Sequence, residues 1–231
     1  MSRSISILST AAIDGLNIEL DVPDWISLNI DPFVNIVYED NEALRAKTKD
    51  TTNRRIAVAF TSKHAVSAVA GIIEERPKNW VVYSLGKYTY SEAKEFFEAC
   101  EVINAGDDAK EMAALLIANG VKELVFFCGD KRLDTLPKTL KQAAVKVTEL
   151  VVYKNEWCAK QVNARYDAIL FYSPSGVHSF FGSNSVDDDT VLFAIGDTTA
   201  AAIYNYTKIN IVAGRVAGKV ELLKKAIQYF V

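Results

Sequence analysis

IAVAFTSKHAVSAV (56–69) reappears in kind as AILFYSPSGVHSFF (168–181): an apolar run, an aromatic, Ser, two residues, a small residue, then Val. Each reads as a buried strand running straight into a helix, because a short apolar run meets a helix-start signal. Ser173 can cap the second helix, and Pro174 suits its first position, where a missing N–H costs nothing. Two readings of the Ser173–Gly176 turn stand side by side. It is a well-capped helix start, or it is an anion site built from the free N–H groups of a helix N-terminus.

The likeness extends downstream. VVYSLGKYT (81–89) resembles LFAIGDTT (192–199), and VINAGDDAKEMAALL (102–116) resembles IVAGRVAGKVELLKKAI (211–227). Ser62 to Gly86 is 24 residues and Ser173 to Gly196 is 23. Three ordered blocks at matched spacing describe two similar halves.

Around these blocks, strands are expected at 5–8, 25–30, 55–60, 80–83, 100–104, 123–127, 146–153, 168–171, 191–195 and 209–212. Helical periods such as Ala65, Val66, Val69, Ile72 and Ile73 lie between many of them. Such alternation implies α/β architecture with parallel sheets covered by helices. The second copy lacks opening strands, whereas 5–30 supplies two strands without a copy of their own. We therefore expect a discontinuous α/β domain from 1–33 plus 156–231 and a contiguous one from 40–148. Residues 34–39 and 149–155 would join them as a two-stranded antiparallel β hinge. Parallel sheets bind ligands beyond the carboxyl ends of their strands, and Ser62, Gly86, Gly106, Gly129, Ser173, Gly196 and Gly214 all fall there. With two domains, those ends could face one cleft.

Bulk properties exclude several function classes. The chain has 231 residues, half of them apolar, and a net charge of −3. It lacks the basic footprint of a nucleic-acid binder. Cys100, Cys128 and Cys158 are odd in number and far apart, and His64 and His178 are distant, so no metal or disulfide pattern is present. The segment MSRSISILSTAAIDGLNIEL (1–20) has too short an apolar run, and an early Asp14, for a signal peptide. No stretch reaches the roughly 18 apolar residues of a membrane span. A cytoplasmic setting follows. His64, His178 and the Asp187–Asp189 run read as solvated or structural groups, and Thr89 and Thr199 as helix caps.

FTSKHAV, LGKYT, FFCGD, VVY, FYSPSGV and AIGDTTA, in that order, resemble the uroporphyrinogen-III synthase family over essentially the whole chain. The resemblance implies two α/β domains joined by a β-ladder. It also implies an enzyme of tetrapyrrole synthesis that closes linear hydroxymethylbilane with inversion of the last pyrrole and loss of water. No cofactor and no metal are implied, and a monomer with no nucleic-acid or membrane partner is expected. The many carboxylates of that substrate need donors, and hydroxyls and helix N-termini supply them without much positive charge. On this reading Thr61, Ser62, Gly86, Lys87, Ser173, Ser175, Gly176, Gly196, Thr198, Thr199 and Arg215 bind substrate.

The chain departs from the family at two places. An Arg usual after the first strand is replaced by Ser9-Thr10, and the usual polar-Pro turn before the last helix is Gly214-Arg215-Val216. Tyr153 matches a family tyrosine linked to departure of the hydroxyl, and a phenol is a donor that stays neutral at neutral pH. The same ring could instead pack the hinge. A rival from another class is a non-catalytic intracellular two-domain clamp for an anionic small molecule.

Overall fold

The computed structural model describes residues 4–13 and 20–231; Asp14 lies outside them. The strands are β1 (Ile5–Ser9), β2 (Ile26–Ile30), β3 (Val34–Tyr38), β4 (Ile56–Phe60), β5 (Trp80–Ser84), β6 (Glu101–Asn104), β7 (Glu123–Gly129), β8 (Lys146–Trp157), β9 (Ala168–Phe171), β10 (Val191–Ala194) and β11 (Ile211–Ala213). The helices are α1 (Glu42–Thr52), α2 (Lys63–Ile72), α3 (Gly86–Phe96), α4 (Ala109–Ala118), α5 (Thr135–Gln142), α6 (Pro174–Phe181), α7 (Asp197–Ile203) and α8 (Lys219–Tyr229). The chain divides into two units, one of Met1–Asn35 with Glu156–Val231 and one of Ile36–Asn155.

In the discontinuous unit the sheet order is β11-β10-β9-β1-β2, and every adjacent pair is parallel. All residues of β9 and β10 are buried, as parallel strands covered on both faces require. One face packs Leu170 and Phe193 against Val220, Leu222, Leu223 and Ala226, all from α8. The other packs Phe171 and Leu192 against Val177 and Phe180 of α6 and Ile203 of α7.

In the contiguous unit the order is β3-β8-β7-β4-β5-β6, with β8, β7, β4, β5 and β6 pairing in parallel. Leu44 of α1, Val66 and Val69 of α2 and Ala93 of α3 cover one face, and Met112, Leu116, Leu136 and Leu140 of α4 and α5 cover the other. Phe60 stacks between Phe97 and Phe127, at 5.5 and 5.3 Å between ring centroids. Trp80 beside them is 1% exposed, and its indole N–H donates to the Thr51 carbonyl at 2.8 Å, so its one polar atom is satisfied.

The repeated blocks occupy matched places: β4, β5 and β6 stand to one sheet as β9, β10 and β11 stand to the other. The remaining pair is β7 and β8 in one unit and β1 and β2 in the other. One unit is therefore a circular permutation of the other, with its last two strands moved to the front. Among these strands, strand order reverses between β9 and β1, and between β4 and β7. Such reversals are where open α/β sheets bind ligands. Around β3 and β8, the Phe33 carbonyl accepts from Cys158 N–H at 3.0 Å, and Glu39 N–H donates to the Val152 carbonyl at 2.9 Å. β8 ends at Trp157, four residues beyond the strand expected at 146–153 and two beyond the hinge strand expected at 149–155.

Candidate active site

The switch point of the contiguous unit is built from three strand ends. β4 runs into Thr61, which is half-buried, and Ser62, which caps α2 by accepting from His64 N–H at 3.2 Å. β7 ends at Gly129, and Tyr153 lies opposite it on β8. Ser62 lies beside the Tyr153 phenol, where its side chain favours the ionised form. The Tyr153 ring also lies 5.9 Å from the His64 ring. Burial pushes the Tyr153 pKa up, Ser62 opposes this, and Cys128, Asp130 and Tyr38 add to the rise. The phenol thus stays a neutral donor past its ordinary pKa of about 10.

The corresponding place in the discontinuous unit carries hydroxyls but a different tyrosine. Ser173 caps α6, accepting from Gly176 N–H at 3.1 Å, with Pro174 at the first helical position. The Thr10 hydroxyl donates to the Leu170 carbonyl at 2.7 Å, and a Cβ on buried Gly176 would lie 3.7 Å from that oxygen. Ser9 donates to the Ala11 carbonyl at 2.7 Å and lies 3.1 Å from the Tyr172 phenol. Tyr172, enclosed beside β9, has its pKa pushed strongly up by burial. Ser175 is half-buried.

The other expected site residues lie at neighbouring strand ends. Gly86 takes φ +73, a conformation that favours glycine. Its N–H donates to the Gly106 carbonyl at 2.9 Å, while Lys87 is exposed. Gly196 precedes α7, Thr198 is exposed and Thr199 is 1% exposed. Arg215 holds φ +51 and donates from Nε to Asp197 at 2.8 Å, tying the loop after β11 to the first turn of α7. Two capping expectations fail. Thr89 and Thr199 lie inside α3 and α7, whose caps are Leu85 and Gly196, because each helix begins at the strand-end turn itself.

Sequence reasoning placed Gly129 at a ligand-side strand end without giving it a role, and read His64 as a solvated side chain. It noted Ser9-Thr10 only as a missing Arg. The residue types at those positions carried no signal of which strand ends become neighbours. Among the described residues, no group of three or more His, Cys, Asp or Glu side chains gathers to hold a metal ion, and no helix is long and apolar enough to cross a membrane.

A uroporphyrinogen-III synthetase structure from Helicobacter pylori superposes with a TM-score of 0.70 at 17% identity, covering 97% of this chain and 99% of its own. A mutant uroporphyrinogen III synthase from Thermus thermophilus gives 0.62 at 13% identity, with 98% of each chain covered. These likenesses establish a shared fold. No curated protein matches the chain. The family model for uroporphyrinogen-III synthase HemD matches residues 29–216, from the end of β2 to the loop after β11, which takes in the switch point between β4 and β7 and the β9 side of the other. The chain belongs to the uroporphyrinogen-III synthase family.

Proposed function

We propose that this chain closes hydroxymethylbilane to uroporphyrinogen III, with inversion of the last pyrrole and loss of water, and needs neither metal nor cofactor. Family membership supports the reaction over a non-catalytic clamp. The observation that carries it to particular residues is the Tyr153 phenol set over Gly129 at the end of β7, beside Ser62, at a sheet switch point.

Hydroxide leaves badly, so the hydroxymethyl C–O bond breaks more easily as a proton reaches its oxygen. Tyr153 supplies that proton and is restored by the proton shed from the pyrrole carbon when the new C–C bond forms. Thr61, Ser62, Gly86, Lys87, Ser173, Ser175, Gly176, Gly196, Thr198, Thr199 and Arg215 hold the substrate carboxylates. Donation by hydroxyls and helix N-termini fits a chain whose own net charge is −3. For Gly86 and Gly176, whose own N–H groups are engaged by Gly106 and Ser173, the donors are their neighbours. The hinge is formed by 34–39 and 149–155, the enzyme is a cytoplasmic monomer, and its partner is this small molecule, with no nucleic acid or membrane.

The test is incubation with enzymatically generated hydroxymethylbilane without added metal. The type III isomer should form; type I alone, at the uncatalysed rate, would remove the assignment.

A further inference from the structure

The strand that carries Tyr153 breaks its own alternation. Successive residues of a regular strand point to opposite faces. Leu150 and Val152 pack into the cluster covered by α1, α2 and α3, so Tyr153 should point away from it. Yet Tyr153 packs against that same cluster. The β7–β8 register explains this: Cys128 pairs with Val151 and Gly129 with Tyr153, leaving Val152 as an extra residue. This is a β-bulge in a parallel pair, an uncommon place for one, and bulges re-aim side chains beside functional sites.

The re-aimed ring then needs room. A Cβ on Gly129 would lie 2.6 Å from Cε2 and 2.8 Å from the phenol oxygen of Tyr153, distances real Cβ contacts essentially never show. Gly129 is buried, and its φ is not positive, so its lack of a side chain answers this close approach rather than a special backbone conformation. The backbone after it is tied down. Asp130 N–H donates to the Tyr153 carbonyl at 3.1 Å, and Asp130 Oδ1 accepts from Asn155 N–H at 2.9 Å and from its side-chain amide at 3.2 Å.

The geometry points to Gly129 as a positioning residue: the bulge turns Tyr153 over the end of β7, and the missing Cβ at 129 is the seat that brings its phenol to Ser62. The inference rests on the proposed role of Tyr153 only for its effect on turnover. The seat itself is open to measurement whether or not Tyr153 is the acid. Other groups beside the phenol are His64, Cys128, Asp130 and Tyr38, so a displaced ring changes its surroundings on every side.

Two readouts are combined in the test. In Gly129→Ala, turnover should fall about 10²-fold, the scale of an ångström-level misplacement, with KM little changed. The same substitution in a Tyr153→Phe background should cost nothing further, because it acts through the phenol. Separately, tyrosine labelled with ¹³C at Cζ gives a Tyr153 resonance, assigned by its loss in Tyr153→Phe. Its titration should move down toward about pH 10 in Gly129→Ala as the ring leaves its buried seat. If Tyr153→Phe itself retains turnover, the acid role falls, and a moved titration still supports the seat. An unmoved titration, or an equal Gly129→Ala loss in both backgrounds, overturns it. Should Gly129→Ala fail to fold, Gly129→Ala/Tyr153→Ala should be as stable as Tyr153→Ala alone. A double variant that remains unfolded also overturns the inference.

Discussion

The turns after β4 and β9 share one plan and differ in what surrounds it. In each, a serine at the strand end caps the next helix: Ser62 accepts from His64 N–H, and Ser173 from Gly176 N–H. Thr61 precedes the first and Tyr172 the second, while Ala65 in α2 corresponds to Gly176 in α6. What faces the cap also differs. Beside Ser62 stands Tyr153, bulged over Gly129; near Ser173 stand Thr10 and Gly176, with Ser9 occupied by Tyr172. The repeat thus carries the backbone donors, and the permuted pair of strands carries the difference. On the proposed reading, the proton donor lies in one unit only, and the other supplies donors for carboxylates.

The sharpest way to break this comparison is to remove the two phenols in turn. Tyr153→Phe should lower turnover by about 10²–10⁴-fold, the usual worth of general-acid help, with folding intact. Tyr172→Phe should leave turnover within a few-fold and cost about 1 kcal/mol of stability through its lost hydrogen bond with Ser9. Equal turnover in the two variants would erase the functional difference between the units.

A smaller contrast lies in the caps. Ser62→Ala and Ser173→Ala should each cost about 1 kcal/mol of stability, by loss of a cap. Ser62→Ala should also lower turnover, since its side chain lies beside the Tyr153 phenol. Ser173→Ala should act on KM, where a hydrogen bond to a carboxylate is worth about 1.5–3 kcal/mol. If both variants change only thermal stability, the serines are caps and nothing more.

Gly176→Ala makes α6 resemble α2 at this position. The added Cβ would sit 3.5 Å from Ser173 Oγ and 3.7 Å from Thr10 Oγ1, which is ordinary contact. Helix propensity should then raise stability by up to about 1 kcal/mol. A methyl at the mouth of a carboxylate-binding turn should at the same time raise KM. A more stable protein with unchanged KM would remove substrate binding from this turn.

Much of the fold was legible because strand–helix alternation and repeated spacing are local signals. Ser173 with Pro174 was readable as a helix start for the same reason. The site was legible only in part. That Tyr153 reaches Ser62 depends on the pairing of β7 with β8 and on one extra residue in that pairing, and neither leaves a mark in the residue types nearby. The last two residues of β8, Glu156 and Trp157, were missed because a charged residue and a ring that is 56% exposed carry no strand pattern. Thr89 and Thr199 looked like caps because their residue type favours that role. The turns at Gly86 and Gly196 start each helix earlier and leave the threonines inside it.

The smallest expected effect lies one turn into the same two helices. Ser179 in α6 corresponds to Ala68 in α2, and both are buried, each 2% exposed. Among the described residues the Ser179 hydroxyl has no hydrogen-bond partner. A buried polar group without a partner forfeits its hydration, and serine is also a poorer helix former than alanine. Copying the other unit with Ser179→Ala should therefore stabilise the protein, by about 0.5–1 kcal/mol on those two grounds. For a chain of this length that is a rise in Tm of about 1–4 °C, measurable by calorimetry. Turnover and KM should not move, because Ser179 lies on the packed side of α6 and not in the turn before it. A lower Tm would mean that the hydroxyl is satisfied in solution, by water or by a carbonyl of its own helix. The two helices would then differ by a hydrogen bond that α2 does without.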